Sequence, residues 1–458
     1  MSVLKKGLKV SSTNNLSSYF PIRTNSSEGA FDWDVARGIV IRNIYKKDIV
    51  KSIRDAKNVD DKLGHSLTSF RDACRCDFKK RLDEHELWAY INEMYFSGDA
   101  VYHVAPESFL FKLAGLTANS PKHRLGDMFS SLMQAFYVEK PARIERNFLE
   151  QQVVDTLRSE KILENYEGRR MSKGINEKPY LPFLTDFFQK DLGFLVSHPR
   201  YLINNLEELL KLYAYLYTAQ MALNIKGWRV EPSAKPLYFI MENETASKER
   251  SDLVKNGHQK VARYLKFIFP YLSVAESLQA PDASMNQHRL PLWQLAGKLT
   301  EKDALVMQSY AKAFAEDRNK DGDYHFPYIL NNPDPLYWLE IILDTSLRQF
   351  DKGKSRAAAQ AKFIKSTELE LCSPFVKSRG QAGKVLVMNQ DYLLLLTNLA
   401  IGECHEKLRF HELLQEFQAR GVYFDKKSQQ SLIRFYERVG NVERMSDSGD
   451  AVYVRKTV

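Results

Sequence analysis

Lys426, Lys427, Gln429, Gln430, Arg434 and Arg438 stand within one short stretch near the C-terminus, spaced for the outward side of a single helix. Their chemistry suits duplex DNA. Lys and Arg neutralise phosphates, and Gln and Arg make paired hydrogen bonds to base edges. The N-terminus of such a helix adds positive potential toward phosphate. Asp447 and Asp450, a few residues on, oppose this chemistry because a phosphate backbone repels them. Docking of a partner protein by the same helix is therefore the competing expectation.

Other constellations are weaker. Cys74-x-Cys76, with His65 and His85 nearby, lacks the usual Cys-x2-Cys spacing and a second ligand pair, so no metal is expected. Gly353-Lys354-Ser355 resembles the end of a phosphate-binding loop, but Arg348 stands where that loop needs glycine. Asp317, Asn319, Asp321 and Gly322 match half of a calcium loop, yet Tyr328 replaces the closing glutamate. A restriction-type nuclease site pairs an Asp with a downstream Glu-x-Lys, and the chain contains no Glu-x-Lys. Asp60-Asp61-Lys62, Asp77-Phe78-Lys79 and Asp425-Lys426-Lys427 supply Asp-x-Lys without a convincing strand before them. His198, His325 and His405 are isolated from any nucleophile elbow. The expectation is a protein without catalytic residues, cofactor or small-molecule substrate.

The elements that position the six polar residues form a module over 383–458. Lys384–Met388 reads as a strand. Asn389 caps a helix through Ala400 that carries four consecutive leucines, Leu393 to Leu396. A second helix, Leu408–Arg420, has its apolar face at Phe410, Leu413, Leu414 and Phe417. Gly421 suits a left-handed C-terminal residue, and Asp425 suits the next N-cap. The third helix, Lys426–Val439, buries Leu432, Ile433, Tyr436 and Val439. Val442–Met445 and Ala451–Val454 then form a hairpin around Ser446–Asp450, with Gly449 free to take a positive φ. This order predicts a winged helix-turn-helix with a small β-hairpin wing, in which the second helix of the pair enters the major groove.

The remainder reads as mostly α. The 458 residues carry 66 Lys+Arg against 57 Asp+Glu, and 44% are apolar, so a packed multi-region protein is expected rather than disorder. Residues 1–30 read as a loosely ordered segment, 31–166 as an N-terminal helical region and 179–382 as a central one. Glu167–Lys178 reads as an exposed linker or long loop. Helical spacing appears at Phe109, Leu110 and Leu113, and at Met128, Leu132, Ala135 and Phe136. Pro199–Ile225 reads as a central buried helix. Leu237–Met241 is either a strand or part of a helix. Helices follow at Ala246–Leu278, Asp303–Asp317 and Pro335–Phe350. Residues 42–81 hold twelve Lys/Arg against six Asp, either a solvated helix surface or a nucleic-acid patch. The early lysines have no apolar core behind them, the most apolar stretch (Leu212–Leu223) is too short to span a bilayer, and the four cysteines are too few for a disulfide scaffold. A cytoplasmic protein without a membrane association is expected.

Two terminal segments carry a family resemblance. Asn14-Asn15-Leu16-Ser17-Ser18-Tyr19-Phe20-Pro21 opens the chain. Arg420-Gly421-Val422-Tyr423-Phe424-Asp425 and Ser446-Asp447-Ser448-Gly449-Asp450-Ala451-Val452-Tyr453-Val454 lie near its end. Together they resemble the DNA phosphorothioation-dependent restriction protein DptG family. The resemblance covers the two ends and implies a subunit that acts with an ATPase-like and a HerA/FtsK-like helicase subunit against DNA lacking the phosphorothioate mark. It brings no catalytic motif. The resulting expectation is a non-catalytic scaffold or DNA-binding subunit of a bacterial anti-phage restriction assembly. The alternatives are a free-standing winged-helix regulator and a divergent nuclease subunit.

Overall fold

Three small sheets with nine short strands interrupt an otherwise helical chain among the described residues. The computed structural model describes residues 3–10, 19–23, 31–56, 59–81, 87–117, 120–166, 177–244, 252–279, 288–318, 332–351, 353–354, 356–445 and 451–458. The chain divides into two units. One comprises Ala30–Ser172 and Phe188–Leu210, with Val458. The other comprises Met1–Gly29, Lys173–Phe187 and Lys211–Thr457.

In the first unit α1 (Trp33–Tyr45) is the central helix. Asp32 caps it by accepting from the Asp34 and Val35 amides, and Ile39, Val40, Ile41 and Ile44 are buried. β1 (Lys47–Ile49), α2 (Lys51–Arg54), α3 (Lys62–Lys79) and α4 (Leu87–Phe96) follow. The expected helix at Phe109–Leu113 is the 3-10 segment Pro106–Leu113, which packs on α1. α5 (His123–Met133) lies so close to α1 that a Cβ on Gly126 would fall 2.3 Å from Ile39. The expected continuation of α5 to Phe136 fails because Gln134 takes a positive φ of 51°. α6 (Phe148–Leu157) leads to β2 (Leu163–Asn165), which pairs antiparallel with β1. α7 (Pro182–Ser197) and α8 (Pro199–Ile225) are each shared between the units along their length.

Part of the basic stretch 42–81 is built into this unit. Asp48 is 2% exposed; the Arg54 guanidinium lies 2.5 Å and that of Arg42 3.6 Å from its carboxylate. Arg42 also covers the ring of Tyr166 at 4.5 Å. A buried carboxylate of this kind requires close cations.

The second unit holds β3 (Leu237–Met241), α9 (Asp252–Leu278), α10 (Leu292–Lys298), α11 (Ala304–Arg318), α12 (Pro335–Arg348) and α13 (Ala357–Thr367). β4 (Val376–Ser378), β5 (Lys384–Met388), α14 (Gln390–Ile401), β6 (Lys407–Arg409) and α15 (Phe410–Ala419) come next. β7 (Val422–Phe424), α16 (Lys426–Arg438), β8 (Val442–Met445) and β9 (Ala451–Arg455) complete it. Leu237–Met241 is thus a strand. It lies in the middle of a sheet of order β4-β5-β3-β7, parallel to β5 and to β7. The expected boundary at 382/383 is crossed by this sheet, because β3 of the central region hydrogen-bonds to two strands beyond it. α9 packs on β3 and β5, and α12 on α9.

The N-terminal segment departs from the loosely ordered expectation where it is described. Tyr19, Phe20 and Ile22 are buried, and Lys5 donates its amide to the Leu278 carbonyl. The Tyr19 hydroxyl donates toward the Lys178 and Arg289 carbonyls at 2.7 and 3.1 Å. The polar Ser/Thr/Asn composition hides three apolar side chains that the core takes up. Residues 167–176 of the expected linker, Asn319–Gly322 of the calcium-like turn and Ser446–Asp450 of the hairpin turn lie outside the described residues. No described helix is long and apolar enough to cross a membrane.

Candidate nucleic-acid interface

α16 is set in place by what precedes it. Asn389 caps α14 by accepting from the Tyr392 amide at 2.9 Å, and α14 packs on α15. Gly421 ends the α15 turn at φ +87°. Its carbonyl accepts from the Leu237 amide at 2.9 Å, and a Cβ there would fall 2.2 Å from Gln220 Nε2. Only glycine meets both demands. The three residues that follow are held as β7 against β3, with Phe424 6.1 Å from Phe417. Asp425 then caps α16 through the Ser428 amide at 2.8 Å.

The inward face of α16 is Ser428, Leu432, Phe435 and Tyr436. This corrects the expected stripe, since Val439 is 39% exposed and Ile433 only half-buried. The helix has ended by Val439, so that side chain no longer follows the 3.6-residue period. The Ser428 hydroxyl donates to the buried Glu244 carboxylate at 2.9 Å, which also accepts from the Met241 amide. Tyr436 shares a 2.6 Å hydrogen bond with Thr397 of α14. Both contacts fix the rotation of α16 about its axis.

Lys426, Lys427, Gln430, Arg434 and Arg438 are exposed on the other side. The Lys426, Lys427 and Gln430 side chains form no hydrogen bond or ion pair with the described residues. Arg434 lies 3.3 Å from the Ser431 hydroxyl and Arg438 5.9 Å from the Phe435 ring. Gln429 is different. It is half-buried, and its amide donates to the Phe424 carbonyl at 2.8 Å, so it secures the helix entrance. The outward carboxylate of α16, Glu437, is ion-paired with Arg444.

Arg420, just before the glycine, is fully buried. It donates to the Glu416 carbonyl and carboxylate at 3.0 Å and covers the Phe187 ring at 4.4 Å. Its charge serves the fold rather than a ligand.

Sequence reasoning missed β6 and with it a second cationic surface. β6, β9 and β8 form an antiparallel sheet in that order, with Lys407 opposite Arg455, Arg409 opposite Tyr453, and Glu443 opposite Tyr453. The signal was the pair Lys407-x-Arg409 and Tyr453-x-Arg455, whose period of two places all four on one face.

The alternative chemical constellations have structural explanations. Asp61, the middle residue of Asp60-Asp61-Lys62, and Asp425 are N-caps, and Asp77 lies 3.4 Å from both Lys80 and Lys161, which with the Thr156 hydroxyl hold its carboxyl below the ordinary range against the opposing effect of burial. Cys74 is buried in α3, which pushes its thiol up to about 12, while Cys76 is exposed. Two positions apart on a helix, they face different sides. Among the described residues no three His, Cys, Asp or Glu side chains gather as metal ligands. No protein-family model matches the chain, and no curated protein matches it.

Proposed function

We propose that the chain binds duplex DNA, with α15 and α16 as the helix pair of a winged helix-turn-helix and α16 in the major groove. What supports this is an order of elements that suits the winged plan. α14, β6, α15, β7 and α16 are followed by β8 and β9; β6, β9 and β8 pair as one sheet in that order, while β7, between the two helices, pairs with β3. The single observation that carries it is the exposed row Lys426, Lys427, Arg434 and Arg438 on a helix whose rotation is fixed from behind. Gln430 is the outward residue suited to paired hydrogen bonds with adenine.

The larger role rests on the resemblance of the two chain ends. In that reading the protein is a non-catalytic scaffold or DNA-binding subunit of a cytoplasmic, phosphorothioation-dependent restriction assembly acting on unmodified DNA. Its partners are an ATPase-like and a HerA/FtsK-like helicase subunit. Purified alone, it is expected neither to nick plasmid nor to hydrolyse ATP.

The test is fluorescence anisotropy on duplex DNA over a range of salt. Changing Lys426, Lys427 and Arg434 together to alanine is expected to lower the slope of log affinity against log salt by about 2 to 3, at roughly 0.9 per lost phosphate contact. An unaltered slope overturns the role of α16. Co-purification from a bacterial host tests the assembly, and failure to retain either partner removes that part of the reading.

A further inference from the structure

We infer that the outward face of the β6-β9-β8 sheet is a second contact for the phosphodiester backbone of duplex DNA, in which Arg409 and Arg455 bind phosphates and Tyr453 positions Arg409. This inference rests on the reading that the chain binds duplex DNA, and it adds a surface that is neither α16 nor the hairpin turn.

Alternation along the strands separates two faces. Val454 is fully buried, and its partners across the sheet are Leu408 and Val442. The intervening residues, Lys407, Arg409, Glu443, Tyr453 and Arg455, share the opposite face. Arg409 and Arg455 are exposed there. Arg409 donates Nε–H to the Tyr453 hydroxyl at 3.0 Å. That bond fixes the plane of the guanidinium and leaves its two terminal nitrogens without a partner among the described residues. This is the fork that matches a phosphate in a bidentate contact. The Tyr453 hydroxyl is the acceptor in this bond, so its own proton remains available to a phosphate oxygen.

Charge on the face favours the same ligand. Among the described strand residues Glu443 is the one carboxylate on this face, and Lys407 neutralises it at 2.9 Å while lying 5.2 Å over the Tyr453 ring; the Glu412 carboxylate of α15 accepts from the Arg409 amide at 2.9 Å. Arg409 and Arg455 therefore remain as net positive charge on an open surface. They sit on a diagonal of the ladder, a separation of roughly 7–8 Å between such positions. Two guanidinium groups so placed reach separate phosphates of one strand. An acidic protein segment is the competing occupant.

The experiment uses the full chain and the same duplex titration. Arg409→Ala with Arg455→Ala is expected to lower the salt slope by about 2. Tyr453→Phe, which frees the Arg409 guanidinium but keeps its charge, is expected to keep the slope while affinity falls several-fold, with an unchanged thermal midpoint. Arg409→Lys with Arg455→Lys keeps both charges and is expected to keep the slope while affinity falls several-fold. That pair also decides the question if the alanine variant does not fold. A wild-type slope in the alanine variant, or a wild-type affinity in Tyr453→Phe, overturns the corresponding assignment. If that occurs while the α16 variant loses slope, the sheet surface is wrong and the α16 reading stands. If the wild-type chain binds no duplex at all, both fall. Loss of a partner subunit in the arginine variants with DNA slope intact likewise overturns the proposal in favour of protein docking.

Discussion

The basic stretch 42–81 of the first unit and the C-terminal segment 351–458 of the second both carry excess positive charge, twelve Lys/Arg against six Asp in one and eighteen against thirteen acidic residues in the other. They use it differently. In the first, Arg42 and Arg54 close on the buried Asp48, Arg71 lies beside Asp72, and Lys80 and Lys161 flank Asp77. In the second, Lys426, Lys427, Arg455 and the open edge of Arg409 face outward. Net charge read along a sequence therefore does not mark a binding surface. What matters is whether the fold brings a carboxylate to each cation, and a buried carboxylate does so by necessity.

The largest expected effect tests whether the C-terminal segment is separable at all. Deleting 384–458 removes both neighbours of β3 and uncovers Leu237, Phe239 and Ile240, which are fully buried. The truncated chain is expected to aggregate or to lose cooperative thermal unfolding. Cooperative unfolding of residues 1–383 would restore the boundary that the composition suggested.

Asp48→Ala probes the charge that holds the first unit together. Removing the buried carboxylate of this cluster leaves Arg42 uncompensated and Arg54 with only the more exposed Asp55, 3.0 Å away, and the expected cost is about 3–5 kcal/mol in urea unfolding. A loss under about 1 kcal/mol would mean that those arginines are as free as the ones on α16.

A third measurement extends the comparison to buried charge in the second unit. Burial pushes the Glu276 carboxyl up to about 7, against the pull of Arg289, 3.5 Å away. Its folded pKa then lies above its unfolded one. The stabilisation is fully present below about pH 4 and is lost as pH rises through about 7, with a slope of at most about 1.4 kcal/mol per pH unit. Glu276→Gln is expected to remove this dependence. Urea midpoints of both proteins between about pH 5 and 8 check it, and parallel profiles would show that Glu276 is ionised throughout.

The smallest effect is the most direct control. Arg75, Lys79 and Arg81 remain exposed in or just beyond α3. Changing all three to alanine is expected to alter stability by less than about 0.5 kcal/mol per site and to leave the DNA salt slope within about 0.5 of wild type. A drop like that expected for α16 would move the interface to the first unit.

Local grammar was legible from residue types. Asn389 and Asp425 as caps, the strand Lys384–Met388 and the helix Pro199–Ile225 all follow from the hydrogen-bonding and periodic demands of a few neighbouring residues. Most of the outward row on α16 was legible for the same reason, because a helix converts spacing directly into a face. Gln429 was not, since its partner is a backbone carbonyl freed by the turn of the chain at Phe424. Neither was the Arg409–Tyr453 pair. β6 is three residues long, too short for alternation to register until its partner strand lies beside it.

What the amino-acid sequence determined by itself was therefore the longer helices, the caps at Asn389 and Asp425, and most of the apolar side of α15 and α16. Only the tertiary structure decided that β3 would lie between β5 and β7, that Arg420 would be buried and Glu276 half-buried, and that Arg409, Tyr453 and Arg455 would share one face. Segments separated by more than a hundred residues carry no local sign of their pairing. They meet because the buried sheet must satisfy its backbone groups and its apolar side chains at the same time, and that condition is set by the whole fold.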